Sequence, residues 1–143
     1  MDGKYRIITF GLLMIMHLGC QGQPFTSLDQ FRWKNRILVI NTNTIVAQEQ
    51  MMLLKDEIVG LQERDLIVLH LVQDSVLIDK VFEPLFPGNQ LRKDLELSTA
   101  FECLLIGKDG GVKNRTSIVK SPSFYYGLID QMPMRKQEIR DNP

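Results

Sequence analysis

Cys103 and His70 are the side chains in this sequence best suited to chemistry near neutral pH, because a thiol can attack or cycle redox state and an imidazole can carry protons or bind a metal. Cys103 sits in Phe101-Glu-Cys-Leu-Leu-Ile106, a strand pattern in which cysteine behaves as a small buried hydrophobe. His70 lies in Leu66-Ile-Val-Leu-His-Leu-Val72 with no cysteine or second histidine at metal-ligand spacing, so it reads as a core histidine and no metal is expected. Glu63-Arg-Asp65 pairs two carboxylates, but a helix end feeding a strand accounts for them. Lys108-Asp-Gly-Gly111 joins two strands and lacks the Gly-Lys-Ser/Thr ending of a phosphate loop, so its glycines are expected to supply positive φ angles. Asn114-Arg-Thr116 is a formal glycosylation acceptor. None of these patterns assigns a catalytic residue or a cofactor.

The elements that would position these groups alternate between strand and helix. Ile37-Leu-Val-Ile40 and residues 66–72 are nearly unbroken apolar runs, as expected of strands covered on both faces. Between them, Asn41-Thr-Asn-Thr44 signals a helix start. Ala47, Met51, Leu54, Ile58 and Leu61 then form one stripe of a single helix over residues 45–64. Strand, helix and strand make a right-handed βαβ unit with parallel strands. Val76, Leu77 and Ile78 suggest a short strand in the otherwise poorly patterned residues 73–88, and residues 90–97 read as a short helix. Residues 101–107 and 112–118 form a hairpin about Asp109-Gly-Gly111, after which Ser121-Pro122 opens a last helix bearing Phe124, Tyr125, Leu128, Ile129 and Met132. Pro133 is expected to end or kink that helix and to leave a polar tail. The fold class is therefore α/β, with a mixed central sheet and flanking helices.

The 143 residues give one domain, expected at 23–140, with residues 141–143 a tail. Lys4 and Arg6, the apolar run Ile7 to Met16 and the small residues Gly19, Cys20 and Gly22 mark residues 1–22 as an export signal. His17-Leu-Gly-Cys20 leaves two endings open. Cys20 is acylated as in a bacterial lipoprotein, or an ordinary signal is cut near Gly19 or Gly22. Either places the protein outside the cytoplasm, in the periplasm or cell envelope or secreted, touching membrane only through the signal or a lipid at Cys20. With 17 basic and 17 acidic residues spread along the chain, no basic surface of the kind nucleic acid requires is expected.

Asp29-Gln-Phe-Arg-Trp-Lys-Asn-Arg-Ile-Leu-Val-Ile40, Gly107-Lys-Asp-Gly-Gly-Val-Lys113 and Ile129-Asp-Gln-Met-Pro-Met-Arg-Lys-Gln-Glu-Ile-Arg140 together resemble a thioredoxin-like family of exported bacterial proteins with no assigned function. Its domain also occurs in sushi-repeat-containing proteins and in the secreted matrix protein "down-regulated by oncogenes". The resemblance implies a thioredoxin-like fold, whose redox enzymes need Cys-x-x-Cys where the first strand meets its helix. This chain has Asn41-Thr-Asn-Thr44 there, and Leu97-Ser-Thr-Ala100 where such enzymes carry a cis-proline. The expected function is a non-catalytic module binding an unknown protein or envelope component. The alternative is a thiol-dependent oxidoreductase or peroxiredoxin-like enzyme using Cys103. The expected interaction surface comprises Arg32, Trp33, Arg36, Asp109, Met132, Met134 and Arg135, with Trp33 anchored under the N-terminal arm and the segment after Pro133 forming a C-terminal lock.

Overall fold

Every residue of Arg36–Asn41 (β1) is buried, because this strand lies inside a sheet layered on both faces. The computed structural model describes residues 28–42, 44–83 and 87–141, and the side chain of Phe82 is not among the groups described. Cys20, the expected export segment 1–22 and residues 23–27 lie outside that range.

β1 pairs in parallel with Leu66–Val72 (β2), Arg36 opposite Leu66 and Asn41 opposite Leu71. Its other edge pairs antiparallel with Glu102–Ile106 (β5), placing Ile40 opposite Cys103. Ser75–Ile78 (β3) and Val81–Glu83 (β4) extend the sheet beyond β2, and Val112–Thr116 (β6) closes it beyond β5. The six-stranded order is β4-β3-β2-β1-β5-β6. A βαβ half followed by a hairpin and helix is compatible with a thioredoxin-like arrangement. β4 escaped the sequence reading because the β3–β4 turn is Asp79-Lys80, both at positive φ, with no Asn-Gly or Gly-Gly to announce it.

The expected helix over residues 45–64 is two helices, Ile45–Leu53 (α1) and Ile58–Glu63 (α2). Thr44 caps α1 as expected, its side chain accepting from the Ala47 amide at 3.3 Å. The break carries Lys55 N to Met52 O and Glu57 N to Leu54 O bonds, three-residue spacings that tighten the chain and reset the helical phase. α1 can then cover β1 while α2 covers β2. The same change of phase turns Ile58 outward, 61% exposed, although the stripe had placed it inside.

One face of the sheet packs Leu38, Ile40, Val68, Cys103 and Leu105 against α1 and Pro122–Asp130 (α4), through Ala47, Leu54, Tyr125 and Ile129. The other packs Ile37, Val39, Leu69, Leu71, Leu104 and Ile106 against Leu91 of Gly88–Asp94 (α3), with Leu28 and Phe31 of a 3-10 turn. Pro122 opens α4, although Ser121 makes no side-chain cap and its hydroxyl instead lies 2.8 Å from that of Ser123. The expected polar tail is corrected to a helix, Pro133–Asp141 (α5). Pro133 occupies its first turn, where a missing amide hydrogen costs nothing, so the residue that ends one helix begins the next.

Candidate functional site

The end of β1 is the position a redox member of such a fold would use. Asn41 there is fully buried, its amide donating to Ser98 O at 2.7 Å and Ala100 O at 3.1 Å and its oxygen accepting from Arg92 Nε at 2.9 Å. Arg92 also donates to Gln73 O, so its guanidinium ties α3 to the ends of β1 and β2. Thr42 and Thr44 bring no thiol. His70 is half-buried, with Nε2 3.0 Å from Thr42 O, and no group of three His, Cys, Asp or Glu able to hold a metal occurs among the described residues.

Cys103 is a free thiol with no solvent exposure. Burial pushes its pKa up to about 11, opposed in part by a hydrogen bond with Tyr125. Burial also raises Tyr125, and the Cys103 charge and hydrogen bond add to that shift. The Tyr125 hydroxyl donates to Gln50 Oε1 at 3.3 Å, and Gln50 in turn bonds both N and O of Lys120 at 2.9 Å. This buried chain satisfies polar groups between α1 and α4 and exposes no nucleophile.

At the opposite end of the sheet, charges from five elements meet. Arg36 is 1% exposed and grips Glu138 of α5 with two hydrogen bonds, of 3.0 and 3.1 Å, while also donating to Arg64 O at 2.8 Å. Lys108 reaches Glu138 at 2.8 Å and Asp65 at 2.7 Å. Arg64 holds Asp130 through two bonds, of 2.7 and 3.0 Å, and lies over the Tyr126 ring, 4.4 Å from its centroid. Arg135 is buried and reaches Glu63 at 2.9 Å and Asp130 at 3.4 Å. Burial pushes the Glu138 carboxyl up, but bonds from Arg36 and Lys108 outweigh it and hold the group below its ordinary range. Asp130 is likewise lowered, its burial overcome chiefly by Arg64. The C-terminal lock therefore exists, and its main fastenings are carboxylates and guanidiniums. Arg36 and Arg135, expected on an interaction surface, are corrected to interior members of this network, because each finds carboxylates from distant segments.

The remaining expected surface residues converge on the β5–β6 turn. Gly107 N bonds Gly111 O and Gly110 N bonds Gly107 O, both at 2.9 Å, and Gly110 alone of the glycines there has positive φ, +82°. Arg32 donates to Asp109 O at 3.1 and 3.3 Å, and the Trp33 amide donates to Lys108 O at 2.7 Å. The Asp109 carboxylate receives Lys113 at 2.6 Å and the Gly111 amide at 3.0 Å, which hold its pKa below the usual range. Met132 and Met134 line a cleft of about 120 Å³ beside Lys108, Asp109 and Lys113. Trp33, expected as an anchor under the arm, is instead 65% exposed and stands at φ 63°. Sequence reasoning missed Lys108, Glu63, Asp130 and Glu138 as lock residues. The one available signal was the density of charge around Pro133.

This geometry defines a mixed α/β domain with no cysteine where β1 ends and with a charge-locked C-terminal helix. Residues 27–138 match the family model described as "Domain of unknown function (DUF4174)", and the chain belongs to that family. It is 32% identical over 133 residues to "Coiled-coil domain-containing protein 80" of Danio rerio, covering 78% of this chain and 15% of that protein. It is also 32% identical over 120 residues to "Sushi repeat-containing protein SRPX" of Rattus norvegicus and of Homo sapiens, covering 78% of this chain and 26% of each relative. The chain thus spans about a quarter or less of these relatives. No solved structure matches it.

Proposed function

We propose that this is an exported, non-catalytic binding domain that presents Trp33 to a protein partner in the cell envelope or outside the cell. The observation that carries this reading is the backbone at Trp33. A bulky residue in the left-handed region costs roughly 1–2 kcal/mol, and such strain persists where the surrounding structure imposes it. Here the Trp33 amide bond to Lys108 O holds the strained residue, yet the indole remains in solvent. Tryptophan, methionine and arginine are enriched at protein interfaces, and Met134 and Arg32 border the same turn. The buried Cys103 supports the absence of thiol chemistry, since a pKa near 11 leaves little thiolate at neutral pH.

The test is capture from envelope or extracellular fractions with the wild-type domain and with Trp33→Gly, a change that relieves the backbone strain. A specific partner retained by wild type and lost by a folded Trp33→Gly domain supports the reading. The same proteins retained equally by both would refute it.

A further inference from the structure

A cleft lies between the α1–α2 break and the Asp79-Lys80 turn after β3. Two adjoining cavities, of about 290 and 430 Å³, share Met51, Lys55 and Lys80 in their walls. Leu54, Leu66 and Val68 provide an apolar floor, and Met52 and His70 continue the second cavity. Lys55 and Lys80 make no ion pair among the described residues, whereas the cations of the C-terminal lock are all paired. Asp79 is the only charged acid of the cleft among the described residues, and it already accepts from the Val68 amide at 3.1 Å. The formally charged groups of the lining, two lysines and one aspartate, therefore sum to one positive charge.

Lys80 is also held at φ 73° in a turn position where glycine would be unstrained, a conformational cost at a residue that lines both cavities. We propose that this cleft binds a single-chain anionic amphiphile, an alkyl carboxylate whose chain lies on the Met51, Leu54 and Val68 floor while Lys55 and Lys80 hold the head group. One monoanion neutralises the lining. An alkyl chain suits the floor better than a peptide does, because a peptide's amides need partners and β2 and β3 are each paired on both sides, offering no free edge. Compact ammonium charges serve a carboxylate without the bidentate fork that guanidinium supplies.

The experiment is NMR of the domain labelled at methionine methyl groups, titrated with dodecanoate below its micellar concentration. Shifts of Met51 and Met52 that saturate, with Met132 and Met134 unmoved, are expected. Lys55→Ala/Lys80→Ala should weaken binding about tenfold, and dodecan-1-ol, the neutral analogue, should bind correspondingly weakly to wild type. No shift at Met51 and Met52, equal affinity in the double variant, or association only with anionic lipid vesicles would overturn the proposal. Trp33 and the turn that carries it take no part, so this result and the partner test succeed or fail separately.

Discussion

Glu138→Gln removes the carboxylate that closes two hydrogen bonds with Arg36 and a third contact with Lys108, while keeping nearly the same shape. The Arg36 guanidinium stays buried, and its Nε already has no hydrogen-bond partner among the described residues. Stripping one member from a buried pair typically costs about 3–5 kcal/mol. The Glu138 side chain is 24% exposed and glutamine still accepts one bond, so the expected loss is about 2 kcal/mol. For a domain of this size that lowers the melting temperature by roughly 5–10 °C. The pH dependence has a fixed sign. Glu138 has a folded pKa below its ordinary 4.5, so its stabilisation is complete above that value and is lost as the pH falls through the depressed folded pKa. Urea unfolding at neutral pH and a series of thermal melts down to about pH 3 would show wild type losing more stability to acid than Glu138→Gln. The residual acid sensitivity of the variant comes from Asp130 and Asp109, which are lowered in the same sense. Equal stability of the two proteins at neutral pH, or parallel acid curves, would refute the lock as described.

Cys103 should react slowly with alkylating reagents at neutral pH until denaturant is added, and Cys103→Ala should cost about 1–2 kcal/mol by leaving a small void, without loss of any native activity. Fast alkylation of the folded domain would contradict its burial. Gly110→Ala should lose about 1–2 kcal/mol, since alanine dislikes the +82° φ and its Cβ would stand 3.0 Å from Arg32 Nε; unchanged urea unfolding would count against the turn geometry. Trp33→Gly should raise stability by up to about 1 kcal/mol through relief of strain, read by the same unfolding curves. A clear loss of stability would show that the indole packs in the core.

The three central strands and the β5–β6 hairpin were legible because their signals are local. Unbroken apolar runs mark strands covered on both faces, and Asp109-Gly-Gly111 marks a tight turn. The helix break was not legible, since Leu54-Lys-Asp-Glu57 contains neither proline nor glycine and the tertiary need to cover two strands decides it. Pro133 signals the end or a kink of a helix, although proline is equally at home in a first helical turn. The charges were the hardest. Arg36 reads as part of an interaction surface because its partner lies 102 residues away, and only the folded chain brings α5 back to β1. Trp33 misled in the opposite direction, since a lone tryptophan suggests burial and its positive φ is invisible in sequence.

The most direct test of the binding account is to replace Trp33 with a photo-crosslinking phenylalanine derivative in cells that produce the protein. Glu49, exposed on α1, serves as the control position. The account predicts a discrete protein adduct from position 33 and none of the same mass from position 49. No adduct at position 33, or the same adducts from both positions, would contradict it.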